Sequence, residues 1–327
     1  MTLTQRPTLD EIYSPIDSDL KVFSTCLRKE LASQDDLIQK IHEHILQMTG
    51  KFLRPALTIL TSKIEGKNPE EVIRLSAAIE LIHTATLVHD DIIDNSDFRR
   101  NQPSVHARWG RDLSIISGDY LYAKAFLLLA GLNDTFLNKA FATCAHIMCE
   151  GEMKQVEKRN QFLMSEEIYL KIIHQKTAAL FQAACMGGAY YSGTGEENIH
   201  QLGQYGLALG MAFQIVDDCL DLVGETKSLG KTTGLDLTKN DMTLPLLYLL
   251  EGLPANRRDR LTEQMKNNEI SFNEIKKMAL EEKAVERAMT KARGYIETAL
   301  ESVGAIPESI YKQSLIQLAN HCIDRVR

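Results

Sequence analysis

Residues 69–94 read PEEVIRLSAAIELIHTATLVHDDIID, an apolar stretch that ends in three aspartates. Positions on one face recur at steps of three or four residues, the spacing of an α-helix: Ile73, Ala77, Leu81 and Thr84. Pro69 and the two acids after it are typical of a helix start, because proline fits the first turn and acids stabilise the positive helix end. The stretch therefore predicts a long, largely buried helix with an acidic last turn.

The same periodicity fills most of the chain. It recurs, for example, over Leu37, Ile41 and Ile45, and again over Ile168, Ile172 and Ala179. Alternation typical of strands is almost absent, and no repeat or low-complexity linker divides the 327 residues. We therefore expect an all-α protein with a single domain over residues 1–327.

Composition excludes several classes of protein. Hydrophobic residues make up 44% of the chain and the formal net charge is −7, so broad binding to nucleic acid or to an anionic membrane is not expected. The six cysteines are scattered without CxxC pairs, which is typical of a reduced, cytoplasmic protein. Apolar runs fall short of the roughly 20 residues that cross a bilayer, and the first 20 residues lack a secretory pattern, so we expect no membrane span.

The three acids that end the stretch are not equivalent. At 3.6 residues per turn, Asp90 and Asp94 share a helix face one turn apart, while Asp91 lies to the side. Two like charges aimed into one space need a positive partner.

A second acidic motif lies at residues 213–221, which read FQIVDDCLD, again inside an apolar helical pattern. Hard carboxylate oxygens without a histidine pair suit Mg²⁺, which shares its coordination with water and phosphate oxygens. Cys219, within the motif, is expected to pack rather than to bind metal. The alternative, two solvated acidic helix ends, is disfavoured because both copies have apolar surroundings.

Positive side chains accompany the acids. Lys51 and Arg54 are spaced to reach one anion from one helix face, and Arg99 and Arg100 follow the first acidic motif across a short turn. His83 precedes Asp90 by seven residues and therefore points to the same helix face. Further donors are Lys176, Thr177, Gln214 and Lys231. Each alone is a weak signal; together they predict a site for diphosphates.

Taken in order, these residues resemble the trans-type polyprenyl diphosphate synthases. The resemblance runs from about Gly50 to Pro245 and rests on these motifs: GKxxRP (50–55), DDxxD (90–94), RR (99–100), GD (118–119), GE (151–152), KT (176–177), FQxxDDxxD (213–221), GK (230–231) and TLP (243–245). It implies an antiparallel helical bundle around a central cavity, of the isoprenoid synthase type and usually homodimeric. It also implies condensation of isopentenyl diphosphate with an allylic diphosphate such as geranyl, farnesyl or geranylgeranyl diphosphate.

The resemblance also implies roles for single residues. The Mg²⁺ ligands would be Asp90, Asp94 and Asp217, with Asp221 as a further ligand or in support. Asp91 and Asp218 would assist catalysis beside them. Residues facing the allylic diphosphate would be Arg99, Lys176, Thr177, Gln214 and Lys231. Residues facing isopentenyl diphosphate would be Lys51, Arg54, His83 and Arg100.

Product length is expected to depend on Ala85 and Thr86. Short-chain members of the family commonly carry a bulky aromatic residue five positions before the first aspartate, where this chain has Ala85. We therefore expect an open channel and a product longer than geranylgeranyl diphosphate, in the range of hexaprenyl to octaprenyl. Candidate floor residues on a neighbouring helix are Tyr122, Phe126 and Leu129.

Three positions depart from the family pattern. Thr49 and Asn101 stand where glycine is frequent, and Asn240-Asp241 stands where many members have Gly-Lys. Asp241 reverses a charge that would hold the allylic diphosphate, so weaker binding is expected unless Lys239 substitutes.

Two other classes of function stay open. One is a subunit that needs a helper protein, or a regulatory relative with little activity. The other is a terpene cyclase, which has no use for a second diphosphate site.

Overall fold

The computed structural model describes residues 7–65, 70–224, 234, 237 and 239–324. Within these ranges the strands are two residues each, β1 (Phe98–Arg99) and β2 (Gln102–Pro103), paired as an antiparallel hairpin. The remaining regular structure is helical. The all-α prediction is confirmed.

The helices before residue 160 are α1 (Leu9–Tyr13), a 3₁₀ turn (Ser14–Ile16), α2 (Asp17–Glu30), α3 (Asp36–Gln47), α4 (Leu53–Ser62), α5 (Glu71–Ile93), α6 (Val105–Trp109), α7 (Arg111–Gly131) and α8 (Thr135–Lys158). Those after it are α9 (Glu166–Ile173), a π-helical turn (His174–Ala178), α10 (Ala179–Ser192), α11 (Glu196–Val223), α12 (Leu244–Gly252), α13 (Ala255–Lys266), α14 (Phe272–Glu281), α15 (Ala284–Ser302) and α16 (Ile310–Asp324).

The chain forms two compact units, each discontinuous in sequence. Unit 1 comprises Met1–Ala145, Leu180–Gly206 and Ser302–Leu318. Unit 2 comprises His146–Ala179, Leu207–Glu301 and Ala319–Arg327. A single domain over residues 1–327 stays a prediction.

Helix α5 is the centre of unit 1. It packs against α2, α4 and α7, and side chains such as Leu75 and Ile79 are fully buried together with Phe23 and Leu57 of the neighbouring helices. Burial of large apolar side chains is the main stabilising contribution here, about 2 kcal/mol for each. The acidic last turn of α5 therefore stands on a rigid support.

The second acidic motif lies in the last turns of α11, in unit 2. Nearby in the same unit, α12 is buried from Leu244 to Leu250 and contacts α9. The hydroxyl of Tyr248 on α12 donates to Glu166 Oε2 of α9 at 2.9 Å. These contacts hold α9, and the π-helical turn that follows it, at one place in the unit.

Two of the described helices, α5 and α7, are long and apolar enough to cross a membrane by length and composition alone. An apolar 18-residue stretch of α5 is 61% buried, and the corresponding stretch of α7 is 33% buried. Helix α5 is thus a core helix of unit 1. Helix α7 presents apolar side chains at the surface, among them Ile116 and Leu127.

Candidate active site

The first acidic motif keeps its helical geometry to the end. Asp94 caps α5 in the right-handed helical conformation, and its backbone N–H donates to the carbonyl of Asp90 at 2.8 Å. Asp90 and Asp94 are both half-buried, one turn apart as predicted. Their oxygens fit a hard cation such as Mg²⁺, which accepts carboxylates and keeps water ligands.

Asp91 points elsewhere. Its carboxylate is 2% exposed and accepts two hydrogen bonds from Arg99 Nε at 2.9 Å each, while Arg99 Nη2 lies 2.8 Å from Oδ1. Burial raises the pKa of Asp91, and the guanidinium opposes that shift. Asp91 therefore holds Arg99 instead of sharing the space between Asp90 and Asp94.

The two adjacent arginines lie on the β-hairpin. Arg100 and Asn101 form its two-residue loop with φ of 50° and 62°, as hairpin turns of this length require. Asparagine tolerates this left-handed conformation, so Asn101 can replace the glycine that is frequent at this position in the family pattern. Arg100 is bulky and rarely adopts such a φ, and residues in strained conformations of this kind cluster at functional sites.

Arg100 is fixed by contacts on the other side of the loop. Its Nη1 donates to the carbonyl of Met48 at 2.6 Å. A Cβ on Gly50 would overlap the same guanidinium, since Nη1 lies 2.7 Å from the position it would take. Glycine in the GKxxRP motif is therefore needed for the close approach of Arg100.

A small cavity of about 20 Å³ brings several predicted residues together. Its lining includes Thr49, Glu80, His83, Asp91, Arg99 and Arg100. That volume holds about one water molecule, so a diphosphate would bind at its mouth or displace side chains. Thr49, which like Asn101 stands where glycine is frequent in the family, donates its hydroxyl to the carbonyl of Leu46 at 2.9 Å.

The two other cations predicted to bind isopentenyl diphosphate, Lys51 and Arg54, do not line this cavity. Lys51 is exposed and precedes α4, which begins at Leu53 after a left-handed Phe52 (φ 50°). The expectation that Lys51 and Arg54 share a helix face is therefore wrong, because Lys51 is not in the helix. The guanidinium of Arg54 stacks 4.5 Å from the centre of the Phe181 ring.

Burial, with neighbouring positive charge adding to it, determines the protonation state of His83. Burial lowers its pKa well below the usual value, and the cations Arg54, Arg100 and Arg99 lower it further. His83 is therefore a neutral hydrogen-bonding group at physiological pH.

Glu80 is a member of this site that the sequence reading missed. It is 5% exposed, and burial raises its pKa to about 7 although Arg54 and Arg100 oppose the shift. The available signal was an acid inside an otherwise apolar run, one turn before His83. It places beneath the arginines a carboxyl that becomes negatively charged as the pH rises through about 7.

In unit 2 the polar residues form a chain of hydrogen bonds. Thr177 donates to Gln214 Oε1 at 2.8 Å, and Gln214 Nε2 donates to Asp218 Oδ1 at 2.8 Å. Tyr169, which the sequence reading did not single out, donates to the other oxygen of Asp218 at 2.6 Å. Burial raises the pKa of Asp218, although the hydrogen bonds from Tyr169 and Gln214 oppose that shift. Asp218 thus orients Gln214.

Asp217 and Asp221 repeat the spacing of the first acidic pair. Both are half-buried on α11, whereas Cys219 between them is fully buried and faces the core. Their oxygens again suit a hard cation. Over the described ranges, however, no three His, Cys, Asp or Glu side chains already converge as metal ligands.

Lys176 lies in the π-helical turn His174–Ala178, a local irregularity often found at functional sites. Its Nζ is 2.5 Å from Glu152 Oε2, and Glu152 Oε1 is buried without a hydrogen-bond partner. Lys231, predicted beside it, lies outside the described residues.

The carboxylate of Asp241, which stands where many family members have a lysine, is hydrogen-bonded within unit 2. Asp241 is 7% exposed; it accepts hydrogen bonds from Arg159 Nε at 3.1 Å and from Gln155 Nε2 at 2.8 Å. The carboxylate is thus neutralised locally by Arg159, the residue that follows α8.

An all-helical fold with two aspartate pairs at helical spacing, and with clustered cations beside the first, is typical of enzymes that act on diphosphates with a divalent cation. The chain belongs to the polyprenyl synthetase family, whose model matches residues 35–282.

Its relatives make prenyl chains of different lengths. It is 34% identical to octaprenyl diphosphate synthase of Haemophilus influenzae, over 97% of each chain. It is 37% identical to a short chain isoprenyl diphosphate synthase of Methanocaldococcus jannaschii, over 81% of this chain and 80% of the other. Among solved structures, polyprenyl synthase from Caulobacter crescentus, complexed with calcium and isoprenyl diphosphate, matches with a TM-score of 0.93 and 30% identity over 98% of this chain and 99% of the other.

Proposed function

We propose that this enzyme condenses isopentenyl diphosphate with an allylic diphosphate and releases a trans-polyprenyl diphosphate longer than geranylgeranyl diphosphate. The observation that carries the proposal is the cavity in which the cations Arg99 and Arg100 meet neutral His83, beside the acidic end of α5. A terpene cyclase binds one diphosphate and therefore does not need a separate group of cations for isopentenyl diphosphate.

The helical spacing and partial burial of the acids support a role in metal binding. We propose that Asp90 and Asp94, and likewise Asp217 and Asp221, hold Mg²⁺ through half-buried oxygens at helical spacing. When bound, Mg²⁺ supplies positive charge to the diphosphate that departs from the allylic substrate. The same diphosphate would be bound directly by the side chains of Lys176, Thr177 and Gln214. The hydrogen bond to Asp218 orients Gln214.

The bonds change in three parts. The allylic carbon–oxygen bond breaks and its electron pair leaves with the diphosphate. The double bond of isopentenyl diphosphate, held through its own diphosphate by Arg54, His83 and Arg100, then forms the new carbon–carbon bond. A proton leaves the isopentenyl unit to restore a double bond, and the released diphosphate accepts it. Neutral His83 binds without serving as the base.

Product length rests on two kinds of support. Relatives such as the H. influenzae octaprenyl enzyme favour a long product, whereas the M. jannaschii relative is a short chain synthase. Ala85 favours the long product because it carries no bulky ring. It is fully buried, and Thr86 beside it is half-buried with its hydroxyl bonded to the carbonyl of His83 at 2.7 Å.

We propose further that the enzyme works as a homodimer in the cytoplasm. The exposed face of α7 supports the dimer, since Ile116 and Leu127 are 61% and 68% exposed, with Ile115 and Tyr120 beside them. The scattered cysteines support the location. A relative from Geobacillus stearothermophilus, 35% identical over 74% of this chain, is called component 2 of heptaprenyl diphosphate synthase, which keeps a helper subunit as the alternative to a second copy.

The first experiment sizes the products. Purified protein receives Mg²⁺, labelled isopentenyl diphosphate and, in separate tubes, geranyl, farnesyl or geranylgeranyl diphosphate, and the dephosphorylated products are separated by chromatography. Products beyond geranylgeranyl support the whole proposal, and Asp90→Ala should abolish them. Products that stop at farnesyl or geranylgeranyl would refute only the chain length. No elongation with any primer favours the subunit that needs a helper.

Light scattering of the same preparation tests the dimer. The wild type should have twice the mass of one chain, and Leu127→Glu should shift it toward one chain because the charge would be buried in the contact. A wild type of single-chain mass would refute the homodimer.

A further inference from the structure

The β-hairpin that carries Arg99 and Arg100 is held from α3 by a buried histidine. His44 is 2% exposed, and its Nε2 lies 2.7 Å from the carbonyl oxygen of Pro103, which ends the second strand. The two residues are 59 positions apart in the chain. No motif of the sequence reading includes His44.

The neighbours of His44 fix its tautomer. Arg108 Nη1 lies 3.0 Å from Nδ1 of the ring, and a guanidinium can only donate hydrogen bonds. Nδ1 therefore accepts, the single proton of the neutral ring lies on Nε2, and Nε2 donates to Pro103. The ring of Trp109 closes the site edge-on, with 5.0 Å between ring centres.

Both ends of the hairpin are thus attached to the same stretch of chain. Pro103, at the open end, pairs with Phe98 but has no N–H to donate across the ladder; His44 gives this end a second attachment. Arg100, at the tip, donates to the carbonyl of Met48, four residues after His44. Residues four apart lie one helical turn from each other, so the end of α3 sets the distance and direction of the hairpin.

We propose that His44 is a positioning residue for Arg100 and, through it, for isopentenyl diphosphate, whereas Arg99 is held separately by Asp91. The inference rests on the proposed function, which assigns Arg100 to that substrate. His44 is not among the residues that line the cavity. It acts by holding the hairpin at the angle that brings Arg100 to the cavity with His83.

The chain supplies a matched control. His42 lies on the same helix, is 3% exposed, and its Nδ1 is 2.7 Å from a backbone carbonyl, that of Leu31. It therefore matches His44 in burial and in type of hydrogen bond but is bonded to a residue outside the hairpin. Loss of a buried histidine contact in general should affect both residues equally; positioning of the hairpin should affect His44 alone.

The test compares His44→Phe, His44→Gln and His42→Phe in the full-length protein. Calorimetry measures the Kd of isopentenyl diphosphate alone, so that no turnover is needed, and steady-state assays give KM and kcat with farnesyl diphosphate. His44→Phe should weaken binding of isopentenyl diphosphate about 10-fold and raise its KM similarly, with the KM of farnesyl diphosphate unchanged. Glutamine, whose amide can donate as Nε2 does, should restore affinity to within about 3-fold.

Thermal melts of all three variants establish that each is folded. The inference is overturned if His44→Phe binds isopentenyl diphosphate as the wild type does, or if His42→Phe weakens binding to the same extent. Wild-type binding without elongation would refute the proposed function and leave the positioning role measurable by affinity. A wild type that binds no isopentenyl diphosphate would overturn both.

Discussion

The carboxylate of Asp91 and the guanidinium of Arg99 form a buried pair, with Nε 2.9 Å from both carboxylate oxygens and Nη2 2.8 Å from one of them. The pair joins the last turn of α5 to the hairpin. The three aspartates of the first acidic motif therefore differ in role. Asp91 fixes Arg99, while Asp90 and Asp94 lie one turn apart on another face of the helix.

Removing Asp91 should therefore destabilise the protein as well as impair its activity. Asp91→Ala leaves Arg99 without its buried counter-charge, and we expect a loss of about 3 kcal/mol in the free energy of unfolding, since Arg99 is partly able to rehydrate. Urea unfolding followed by circular dichroism measures it. Asp119→Ala, at a 69% exposed carboxylate, should change stability by less than about 0.5 kcal/mol. A loss below about 1 kcal/mol for Asp91→Ala would contradict the prediction.

Gly50→Ala should displace Arg100. The new Cβ would overlap the guanidinium, so we expect the KM of isopentenyl diphosphate to rise about 10-fold with the KM of the allylic primer unchanged. Gly131→Ala is the control, since a Cβ there meets nothing within 4 Å. Unchanged kinetics in Gly50→Ala would show that Arg100 does not need its present position.

Asp241→Lys, which restores the family's usual charge, should harm this protein. The lysine would face Arg159 at a buried position, and we expect the free energy of unfolding to fall by at least about 3 kcal/mol. Adding Arg159→Glu to the same chain should recover a part of this loss. Thermal melts of the single and double variants measure the coupling. Glu281→Lys, in an exposed pair with Lys277, serves as the neutral control. A stable Asp241→Lys variant with a lower KM for farnesyl diphosphate would refute the local role of Asp241.

Ala85→Phe should shorten the products. Because Ala85 is fully buried, the ring must also displace neighbours, and overpacking of this kind costs about 1–3 kcal/mol. Chromatography of the dephosphorylated products should show a shift toward farnesyl or geranylgeranyl length. Ala85→Ser, which adds one atom, should keep the wild-type length. If both variants keep it, chain length is set elsewhere, for instance on α7.

Glu80 should make stability depend on pH. Its usual pKa of 4.5 is raised to about 7 in the folded state, so between these values the folded protein holds a proton that the unfolded chain has lost. The free energy of unfolding contributed by this group therefore falls by on the order of 3 kcal/mol as pH rises from about 4.5 to 7 and is level above that.

Urea unfolding of wild type and Glu80→Gln at pH 5, 6, 7 and 8 tests this. Glutamine stays neutral, so the variant should gain on the wild type as pH rises to 7. Glu281→Gln, at an exposed site, should follow the wild type at every pH. A difference between Glu80→Gln and wild type that does not vary with pH would disprove the assignment.

Local pattern was enough for the helices and for the two aspartate pairs. Apolar spacing predicted α5 and α11, and i, i+4 spacing placed Asp90 with Asp94 because such residues are neighbours in any α-helix. Where the local backbone departs from a helix, spacing misled: Phe52 adopts a left-handed conformation, and Lys51 lies before α4.

Contacts between distant segments were decided by the tertiary structure alone. His44 meets Pro103 across 59 residues and Arg159 meets Asp241 across 82, and no local spacing encodes such distances. Burial also set the charge of Glu80 and of His83, since a pKa depends on the dielectric and on charges that other helices bring near. The sequence by itself determined the helices and the chemical groups each presents; packing decided which of those groups are neighbours and in which state of protonation they meet.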